Sequence, residues 1–378
     1  MTSYKCHQAG SEDVKNELVS LRPRKSRGSW KLVPVAACLI AVTIALAGCG
    51  GDGDQADAAS HDTVTVKNCG EEVTFPSPAK KIFVNESQMI SNLFALDADS
   101  QISAVTGLSA GKQQMLKQIY GEDRIAALPI KSEDYAGVES VLAERPDAMM
   151  AGFGWGYSVE DNLTPARLLD DYDIPAYTSS PTCPQESTDV NGIMPPWEAL
   201  YEDLTNIGEI TGHSSKAANV LRDIKDRLKH LETAPQPENA PTVFFYDLTA
   251  KEVMSAGSLS PAQAVIDAAG GTNVLEDIDA DFTKVSWERL TADKPDYFLV
   301  SDYGEGEQSY SNKISELKSN PATRDLEAVK NDRFIKLPIQ MLLGTPEMID
   351  AAEHLRKALE DADLVPESDI KPELKLDK

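Results

Sequence analysis

Apolar residues recur along the chain in short runs that alternate with longer stretches of helical spacing. Short apolar runs bounded by glycine, proline or acidic residues are typical of buried strands. Strands that alternate with helices indicate an α/β fold. The predicted strands form two groups, a first at Thr63–Lys67, Glu72–Phe75, Ile82–Val84, Ile102–Val105, Ala148–Ala151 and Ile174–Tyr177, and a second at Thr242–Tyr246, Tyr297–Ser301 and Phe334–Leu337. The first two strands are expected to form a hairpin.

A long helical segment, from Pro196 to Leu231, separates the two groups of strands. Its second part carries one apolar stripe with spacings of four, three, four and three, formed by Ala217, Leu221, Ile224, Leu228 and Leu231. Such spacing indicates one buried face of a helix. We expect Gly208 and Gly212 to interrupt the segment, and the prolines between Thr233 and Pro241 to end it.

Each half of the chain contains the same short block. Glu139 lies seven residues before Pro146-Asp147, and Glu288 lies seven residues before Pro295-Asp296. A predicted strand follows each Pro-Asp pair. An acid in the first turn of a helix stabilises it by only a few tenths of a kcal/mol, which accounts for one such glutamate but not for two at the same offset. Shared ancestry of the two halves also accounts for the match, and the repeat predicts two lobes of related design.

The chain is strongly acidic after a basic beginning. Its 378 residues contain 36 Lys and Arg against 61 Asp and Glu, a formal net charge of −25. Residues 1–48 are net basic, so the acidic excess lies in the remainder. Nucleic-acid binding requires a basic surface that displaces counterions from phosphates, so this composition excludes a nucleic-acid partner.

An apolar run from Leu32 to Gly48 follows the basic segment and ends in Leu46-Ala47-Gly48-Cys49. A basic segment, a short apolar run and small residues form an export signal, and the run is short for a membrane span of about 20 residues. Leu-Ala-Gly-Cys matches the bacterial lipoprotein box, in which the cysteine is diacylated and becomes the first mature residue; the alternative is an uncleaved anchor helix. The polar residues 50–60 suit a tether. We expect lipidation of Cys49 and attachment to the extracytoplasmic face of the cell membrane.

Removal of residues 1–48 leaves Cys69 and Cys183 as the cysteines beyond Cys49. An even pair in an exported protein favours a disulfide. The alternative is two unpaired buried thiols, which are more common in cytosolic proteins.

Blocks of sequence along the chain resemble, in their order and spacing, those of one known family. The blocks are Val64–Pro76 with Lys80–Val84, Glu139–Asp147, Ile207–Gly212, Ala268–Val274 with Val285–Glu288, and Ala328–Phe334. They are similar to the solute-binding lipoproteins of ABC importers, in the class that captures ferric siderophores, haem and cobalamin. The resemblance extends from about Val64 to Leu364.

The resemblance implies two α/β lobes joined by one long helix, with the ligand in the cleft between the lobes. The expected organisation is a signal peptide at 1–48, a tether at 49–62, an N-terminal lobe at 63–195, the interlobe helix at 196–233 and a C-terminal lobe at 234–378. In that family, one glutamate on each lobe pairs with arginines of the membrane permease. The matching positions are Glu139 and Glu288, and a symmetric pair suits a two-fold permease dimer.

Ligands of doubly wound lobes contact loops at the carboxyl ends of strands. The corresponding loops are Asn85–Gln88, Thr106–Ala110, Ser132–Tyr135 and Gly152–Tyr157 in the first lobe, and Asp247–Ser255, Asp302–Glu305 and Pro338–Met341 in the second. The loop Gly152–Tyr157 either presents its aromatic rings to a ligand or folds them back onto the lobe. The residues expected to face the ligand are Tyr135, Trp155, Tyr157, Tyr246 and Tyr303, whereas Trp287 is expected in the core or at the rim.

The charges of these loops favour one ligand class. They offer only Lys112, Lys131 and Lys251 nearby and no arginine, so a neutral or cationic ferric hydroxamate suits the cleft better than an anionic siderophore. Iron would enter only with the siderophore, with no intrinsic cofactor or metal site. Haem, with Tyr157 or Tyr246 as axial ligand, and cobalamin remain the alternatives. His61, His213, His230 and His354 are expected to face solvent.

An exported enzyme is the alternative from another functional class. The sequence contains no His-x-x-x-His or Cys-x-x-Cys metal pattern, no Gly-x-Ser-x-Gly nucleophile turn and no Gly-x-x-x-x-Gly-Lys phosphate loop. The acidic residues at 170–171 and 277–281 are expected to be solvated loop charges.

Overall fold

The computed structural model describes residues 62–184, 194–248, 252–304 and 306–376. The predicted signal peptide, the tether up to His61, Cys49 and Lys251 lie outside the described residues. Within the described part of the chain, no helix is long and apolar enough to cross a membrane.

Short strands alternate with helices throughout. The strands are β1 Thr63–Asn68, β2 Glu71–Pro76, β3 Ile82–Val84, β4 Ile102–Val105, β5 Ala148–Phe153, β6 Gly156–Tyr157, β7 Ala176–Thr178, β8 Thr242–Tyr246, β9 Val253–Ala256, β10 Thr272–Asn273, β11 Phe282–Val285, β12 Tyr297–Asp302 and β13 Phe334–Pro338. The helices are α1 Ser87–Ala95, α2 Ala110–Tyr120, α3 Glu122–Ala126, α4 Val138–Glu144, α5 Pro165–Tyr172, α6 Pro196–Thr211, α7 Ser214–Thr233, α8 Pro261–Ala268, α9 Trp287–Asp293, α10 Tyr310–Ser319, α11 Glu327–Lys330 and α12 Met348–Asp361. The α/β class predicted from the sequence is confirmed.

Two parallel sheets form the centres of two lobes. The first contains β4, β3, β5 and β7 in that spatial order, with the short β6 beside the end of β5. The second contains β10, β8, β12 and β13. In both sheets, with strands counted in chain order, the second strand forms the edge beside the first. The third and fourth strands lie on the other side of the first. The common strand order gives the two lobes the related design that the sequence repeat predicts.

The predicted strands are all present, although the strand predicted at Ile174–Tyr177 begins two residues later, at Ala176. The hairpin β1–β2 is antiparallel and pairs Thr63 with Pro76. A second antiparallel pair, β9–β11, was not predicted, because we expected Asp247–Ser255 to be a loop. This pair projects from the second lobe toward the first, and it carries part of the functional site described below.

The repeated Pro-Asp pairs have a common structural role. Helices α4 and α9 each end at a non-glycine residue with left-handed backbone, φ 48° at Arg145 and φ 47° at Lys294. The aspartate that follows accepts backbone N–H groups at the start of the first strand of its lobe. Asp147 accepts from Lys80 and Lys81, and Asp296 accepts from Thr242. Each aspartate therefore fixes the register between the first and third strands of its sheet.

The interlobe segment differs from the expectation of one long helix. It consists of two helices, α6 and α7, because Gly212 adopts φ 76°, a left-handed conformation that ends α6. Gly208, also expected to interrupt the segment, lies inside α6. A Cβ at Gly208 would come within 2.7 Å of the Cβ of Ala217 on α7, so this glycine permits the close packing of the two helices.

The hairpin is attached to the first lobe by a disulfide between Cys69 and Cys183, as the cysteine count predicts. The side chain of Asn68 reinforces this attachment, because its amide donates to the carbonyl of Thr178 on β7 and its carbonyl accepts the Thr178 N–H. The two cysteines are 114 positions apart in the sequence, and the disulfide holds them together at the edge of the first sheet.

The apolar core continues from one lobe into the other. One cluster of buried side chains extends from β3 (Ile82 and Val84) through α6 (Leu204) to α8 (Val265) and α12 (Leu355). A shared core opposes large independent movements of the lobes, because separating them would expose apolar surface.

Candidate functional site

A cleft of about 410 Å³ lies between the lobes, at the carboxyl ends of β3 and β8. In open α/β sheets this end of the strands is where ligands bind. Its lining combines aromatic, aliphatic and charged side chains from both lobes, including Glu86, Lys112, Met115, Tyr135, Trp155, Asp247, Met254, Asp281, Phe282, Tyr303, Ile339 and Leu343. A larger cavity of about 900 Å³, beside Trp197 and Leu259, lies away from the carboxyl ends of the parallel strands. The interlobe cleft is therefore the candidate site.

The wall of the first lobe contains a linked glutamate, tyrosine and lysine. Glu86 lies just before α1 and accepts the backbone N–H of Ser87 at 2.7 Å, so its carboxylate is fixed at the helix N-terminus. The hydroxyl of Tyr135 donates to Glu86 Oε2 at 2.5 Å. Lys112 Nζ lies 3.3 Å from the same oxygen and 3.2 Å from the Tyr135 hydroxyl. The lysine charge is thus already matched by a carboxylate.

The ring of Tyr135 lies directly over Gly107. A Cβ at Gly107 would come within 2.5 Å of the Tyr135 ring, and this glycine has φ 72°. Gly107 therefore provides both the space and the backbone conformation for this position of the ring. Although Tyr135 is 46% exposed, its hydroxyl is directed inward to Glu86.

The wall of the second lobe contains a similar group of carboxylate, phenol and ammonium, which is more deeply buried. The hydroxyl of Tyr303 donates to Asp247 Oδ1 at 3.0 Å, and Asp247 follows the end of β8. Lys313, on α10, donates to the carbonyl and the hydroxyl of Ser301, both at 2.8 Å. The hydroxyl of Ser301 lies 2.9 Å from Asp247 Oδ1, which completes the connection. Asp247 and Lys313 are both buried.

Burial shifts the pKa values of this second group. It lowers the pKa of Lys313 to about 8, although Asp247 and Asp302 act in the opposite direction. It also raises the pKa of Asp247, while Lys313 and the hydroxyls of Ser301 and Tyr303 oppose that rise. Burial and the neighbouring carboxylates raise the pKa of both cleft tyrosines, Tyr135 and Tyr303, so both phenols are protonated at neutral pH.

Two aromatic rings meet across the cleft. Trp155 from the first lobe and Phe282 from β11 of the second lobe have ring centroids 5.5 Å apart with an interplanar angle of 72°. This edge-to-face arrangement is favourable for aromatic pairs. The β9–β11 pair thus brings the second lobe into contact with the loop that follows β5.

Three of the five residues expected to face the ligand line the cleft: Tyr135, Trp155 and Tyr303. Tyr157 does not, because it is fully buried and its hydroxyl donates to the carbonyls of Met149 and Tyr177. The segment Gly152–Tyr157 therefore does both of the things considered from the sequence. Trp155 faces the cleft, whereas Tyr157 folds back onto the lobe.

Tyr246 is also incorrectly predicted. It is fully buried, its hydroxyl donates to Glu316 Oε2 at 2.7 Å, and its ring packs against Trp287 at 5.9 Å. Along β8, Phe244 and Tyr246 share the face that packs in the outer core of the second lobe. Trp287 is partly buried against that same core, as expected.

Glu139 and Glu288 occupy equivalent positions. Both are exposed and lie in the first turns of α4 and α9. Glu139 follows Tyr135 by four residues, and Glu288 follows the last residue of β11, Val285, by three. Each glutamate therefore lies on the segment that leads from the cleft into a helix of its lobe.

Several cleft residues were not singled out from the sequence. Phe282 and Asp281 were missed because the β9–β11 pair was not predicted, and Asp281 was expected to be a solvated loop charge. Lys313, which does not line the cleft but contacts Ser301 behind it, was missed because a lysine in an amphipathic helix is normally exposed. Lys131, in contrast, was expected near the ligand but is exposed and pairs with Glu144. Among the described cleft-lining residues there is no arginine.

The structure offers little for direct metal or haem binding. In the described ranges, no group of three or more His, Cys, Asp or Glu side chains could hold a metal ion. His230 contacts Asp369 at 2.9 Å and His354 contacts the carbonyl of Leu374, while His213 precedes α7; each lies outside the cleft lining.

Comparison with known proteins identifies the class. The family model described as periplasmic binding protein matches residues 88–341. That match covers more than half of the chain, so this chain belongs to the periplasmic binding protein family. Its members are extracytoplasmic solute-binding components of transport systems that act with a membrane permease. The prediction of a binding protein is confirmed, and the alternative of an exported enzyme is wrong.

Solved structures with different ligands share this fold. A Fe³⁺-hydroxamate transport protein from Saccharomonospora viridis is 20% identical with a TM-score of 0.62, covering 78% of this chain and 98% of that one. A haem-binding protein from Roseiflexus is 22% identical with a TM-score of 0.55, covering 75% and 99%. A molybdate-binding protein from Haemophilus influenzae is 17% identical with a TM-score of 0.61, covering 80% and 94%. No curated protein sequence matches this chain. At these identities the similarity establishes the fold alone.

Proposed function

We propose that this protein captures a ferric siderophore of the neutral or cationic hydroxamate type and delivers it to the permease of an ABC importer. The observation that carries the proposal is the charge-compensated aromatic cleft. Tyr135, Trp155, Phe282 and Tyr303 supply ring surface, while the lysines beside the cleft are matched by Glu86 and Asp247. A strongly anionic ligand finds no uncompensated cation among these groups, whereas aromatic faces and carboxylates suit a neutral or cationic ligand.

One relative named above is a Fe³⁺-hydroxamate transport protein, which agrees with this ligand class. The cleft volume of about 410 Å³ lies within the range of small-molecule sites. Iron is cargo in this proposal and enters already chelated, so the protein needs no iron ligands of its own.

Haem is the second candidate, because another relative is a haem-binding protein. An axial tyrosine binds haem iron as a phenolate. Burial and adjacent carboxylates raise the pKa of Tyr135 and Tyr303, which opposes loss of the phenolic proton in this cleft. The two tyrosines expected as axial ligands, Tyr157 and Tyr246, are fully buried outside the cleft. These features favour the hydroxamate over haem; cobalamin remains an alternative for the test below.

The proposal is tested by ligand binding to the mature protein from Cys49 onward. Tryptophan fluorescence is measured during titration with ferrioxamine B, ferrichrome, ferric enterobactin, haemin and cyanocobalamin. We expect saturable quenching by the two hydroxamates, because Trp155 lies in the cleft. Tighter binding of the tri-anionic ferric enterobactin, or binding of haemin or cyanocobalamin alone, would contradict the proposal. A Trp155→Phe variant is the control that assigns the quenching to the cleft.

We further propose that Glu139 and Glu288 dock onto the permease and that Cys49 carries the lipid anchor. The equivalent, exposed positions of the two glutamates support the first proposal. The lipoprotein box and the polar residues that follow it support the second. Labelling of cells with a radioactive fatty acid tests the anchor: we expect incorporation that Cys49→Ala abolishes, and labelling that persists in this variant would contradict it.

A further inference from the structure

We propose that Glu86 and Asp247 determine specificity by accepting the phenolic protons of Tyr135 and Tyr303, which leaves both phenol oxygens as hydrogen-bond acceptors toward the cleft. The cleft would then select ligands that present N–H or ammonium donors, chiefly to Tyr303, because the Tyr135 oxygen already accepts from Lys112 at 3.2 Å, and reject ligands that present only acceptors. This inference rests on the proposed function and refines the ligand class within it.

The direction of the hydrogen bonds follows from the partners. An ionised carboxylate has only acceptor sites, so a phenol that contacts it must donate its single proton. Tyr135 lies 2.5 Å from Glu86 Oε2, and Tyr303 lies 3.0 Å from Asp247 Oδ1. Lys112 donates to Glu86 and to the Tyr135 oxygen, which supports the ionised form of Glu86. In the second lobe, the hydroxyl of Ser301 accepts from Lys313 and donates its own proton to Asp247 Oδ1, so that oxygen is an acceptor. Burial raises the pKa of Asp247, and Lys313, Ser301 and Tyr303 oppose that rise.

Both carboxylates border the cleft, but their oxygens are already engaged by neighbouring groups. Glu86 Oε1 accepts the N–H of Ser87 at 2.7 Å and its hydroxyl at 2.6 Å, and the side chain is only 4% exposed. Asp247 is 3% exposed and is in contact with Ser301 and Tyr303. The carboxylates are therefore positioning residues that act through the tyrosines.

The tyrosines are the groups that reach the ligand. Both line the cleft, one from each lobe. A hydroxyl that donates to a carboxylate becomes a stronger acceptor, because hydrogen bonds in a chain polarise one another. A ligand oxygen placed against such a phenol would oppose lone pair to lone pair and leave both groups unsatisfied, whereas an ammonium or amide N–H would complete the chain.

The test compares two ferric ligands that differ at one end. Ferrioxamine B carries a terminal ammonium, and its N-succinyl derivative carries a terminal carboxylate on the same iron-binding chain. We expect wild type to prefer the ammonium form by about tenfold or more. In Tyr135→Phe, Tyr303→Phe and the double variant, the ring remains and the acceptor is lost, so we expect the ratio of the two Kd values to fall toward one. Tyr172→Phe, on the exposed face of α5, is the matched control and keeps the wild-type ratio.

The tyrosine variants separate hydrogen-bond direction from simple charge. They retain Glu86 and Asp247, so a preference caused only by the negative charge of the cleft would survive in both. An unchanged ratio in the double variant, or equal binding of the two ligands by wild type, would overturn the inference while the proposed function stands. Failure of wild type to bind either ferrioxamine would instead contradict the proposed function.

A spectroscopic measurement tests the direction without any ligand. The ultraviolet resonance Raman doublet of tyrosine reports whether the phenol donates or accepts. Tyr303 is the probe, because the oxygen of Tyr135 also accepts from Lys112. We expect the wild-type minus Tyr303→Phe difference spectrum to show a donor, and this signature to weaken in Asp247→Asn. An acceptor signature for Tyr303 in wild type would overturn the inference, whatever the ligand proves to be.

Discussion

Both walls of the cleft combine a carboxylate, a phenol and an ammonium group, at different depths. In the first lobe, the side chains of Lys112 and Glu86 are 24% and 4% exposed, so the lysine remains in contact with solvent. In the second lobe, Asp247 and Lys313 are both buried, and burial lowers the pKa of Lys313 to about 8. Desolvation disfavours the charged form of a lysine, which accounts for the lowered pKa of Lys313. Similar groups thus form a partly exposed ion pair on one side and a buried polar network on the other.

The largest expected effect tests whether the permease distinguishes the lobes. We expect Glu139→Ala with Glu288→Ala to reduce uptake about 100-fold or more, because truncating one partner of a desolvated charge pair costs about 2–5 kcal/mol. Each single variant should lose less, and equal losses would show that the lobes are equivalent in docking. The measurement is uptake of the radioactive ferric ligand by cells.

Binding of the ligand to the purified double variant is the control for this experiment. It should equal that of wild type, because neither glutamate lines the described cleft. A loss of affinity in the purified protein would contradict the docking assignment.

The next effect compares the two lysines. Lys313→Met leaves Asp247 buried without its cation, and we expect a loss of about 3–5 kcal/mol in the free energy of unfolding. Lys112→Met removes a partly exposed pair, and we expect a loss of about 1 kcal/mol or less. Urea unfolding of the two variants and wild type measures both values. Equal losses would show that depth does not separate the two walls.

The pH dependence of stability provides a second measure of Lys313. Its pKa is about 8 in the folded protein and near 10.5 in the unfolded chain, so between these values the unfolded state binds more protons. The contribution of this group to stability therefore rises as pH increases from about 8 to about 10.5, by up to about 3 kcal/mol. The difference in unfolding free energy between wild type and Lys313→Met should increase across this window, and a flat difference would contradict the assignment.

The smallest effect concerns the repeated aspartates. Asp296→Ala removes the acceptor of both the N–H and the hydroxyl of Thr242, in a partly buried position. Asp147→Ala removes the acceptor of two exposed N–H groups, those of Lys80 and Lys81. We expect losses of about 2 and about 1 kcal/mol respectively, measured by urea unfolding. Asp170→Ala, on the exposed surface of α5, should change stability little; a larger loss for Asp147→Ala than for Asp296→Ala would reverse the expected order.

Much of the fold could be predicted because local patterns determine it. The buried strands are short apolar runs, and the repeated Pro-Asp pair marks the equivalent point in both lobes. The division of the interlobe segment at Gly212 follows from its left-handed backbone. The inclusion of Gly208 in α6 could not be predicted, because it depends on contact with Ala217 of a different helix.

The site was less predictable, because the direction of a side chain depends on backbone and depth. Trp155 and Tyr157 would share one face of a regular strand, but Gly154 and Gly156, with φ 76° and 123°, break that alternation and direct the two rings to opposite sides. The direction of the Tyr246 side chain could not be predicted, because the sequence does not show which face of β8 packs in the outer core. The burial of Lys313 depends on Ser301 and Asp247, which come from other elements.

If Cys49 carries the proposed lipid anchor, the hairpin β1–β2 has a mechanical consequence. A pull from the anchor enters at Thr63 and acts along the end of β1, where it would peel the antiparallel ladder one pair at a time toward Asn68. The disulfide at Cys69, immediately after the last pair, links the hairpin tip covalently to Cys183. Peeling therefore stops after a single strand, and the load passes to the edge of the first lobe rather than to the cleft. The disulfide would then keep a pull from the proposed anchor away from the proposed ligand site.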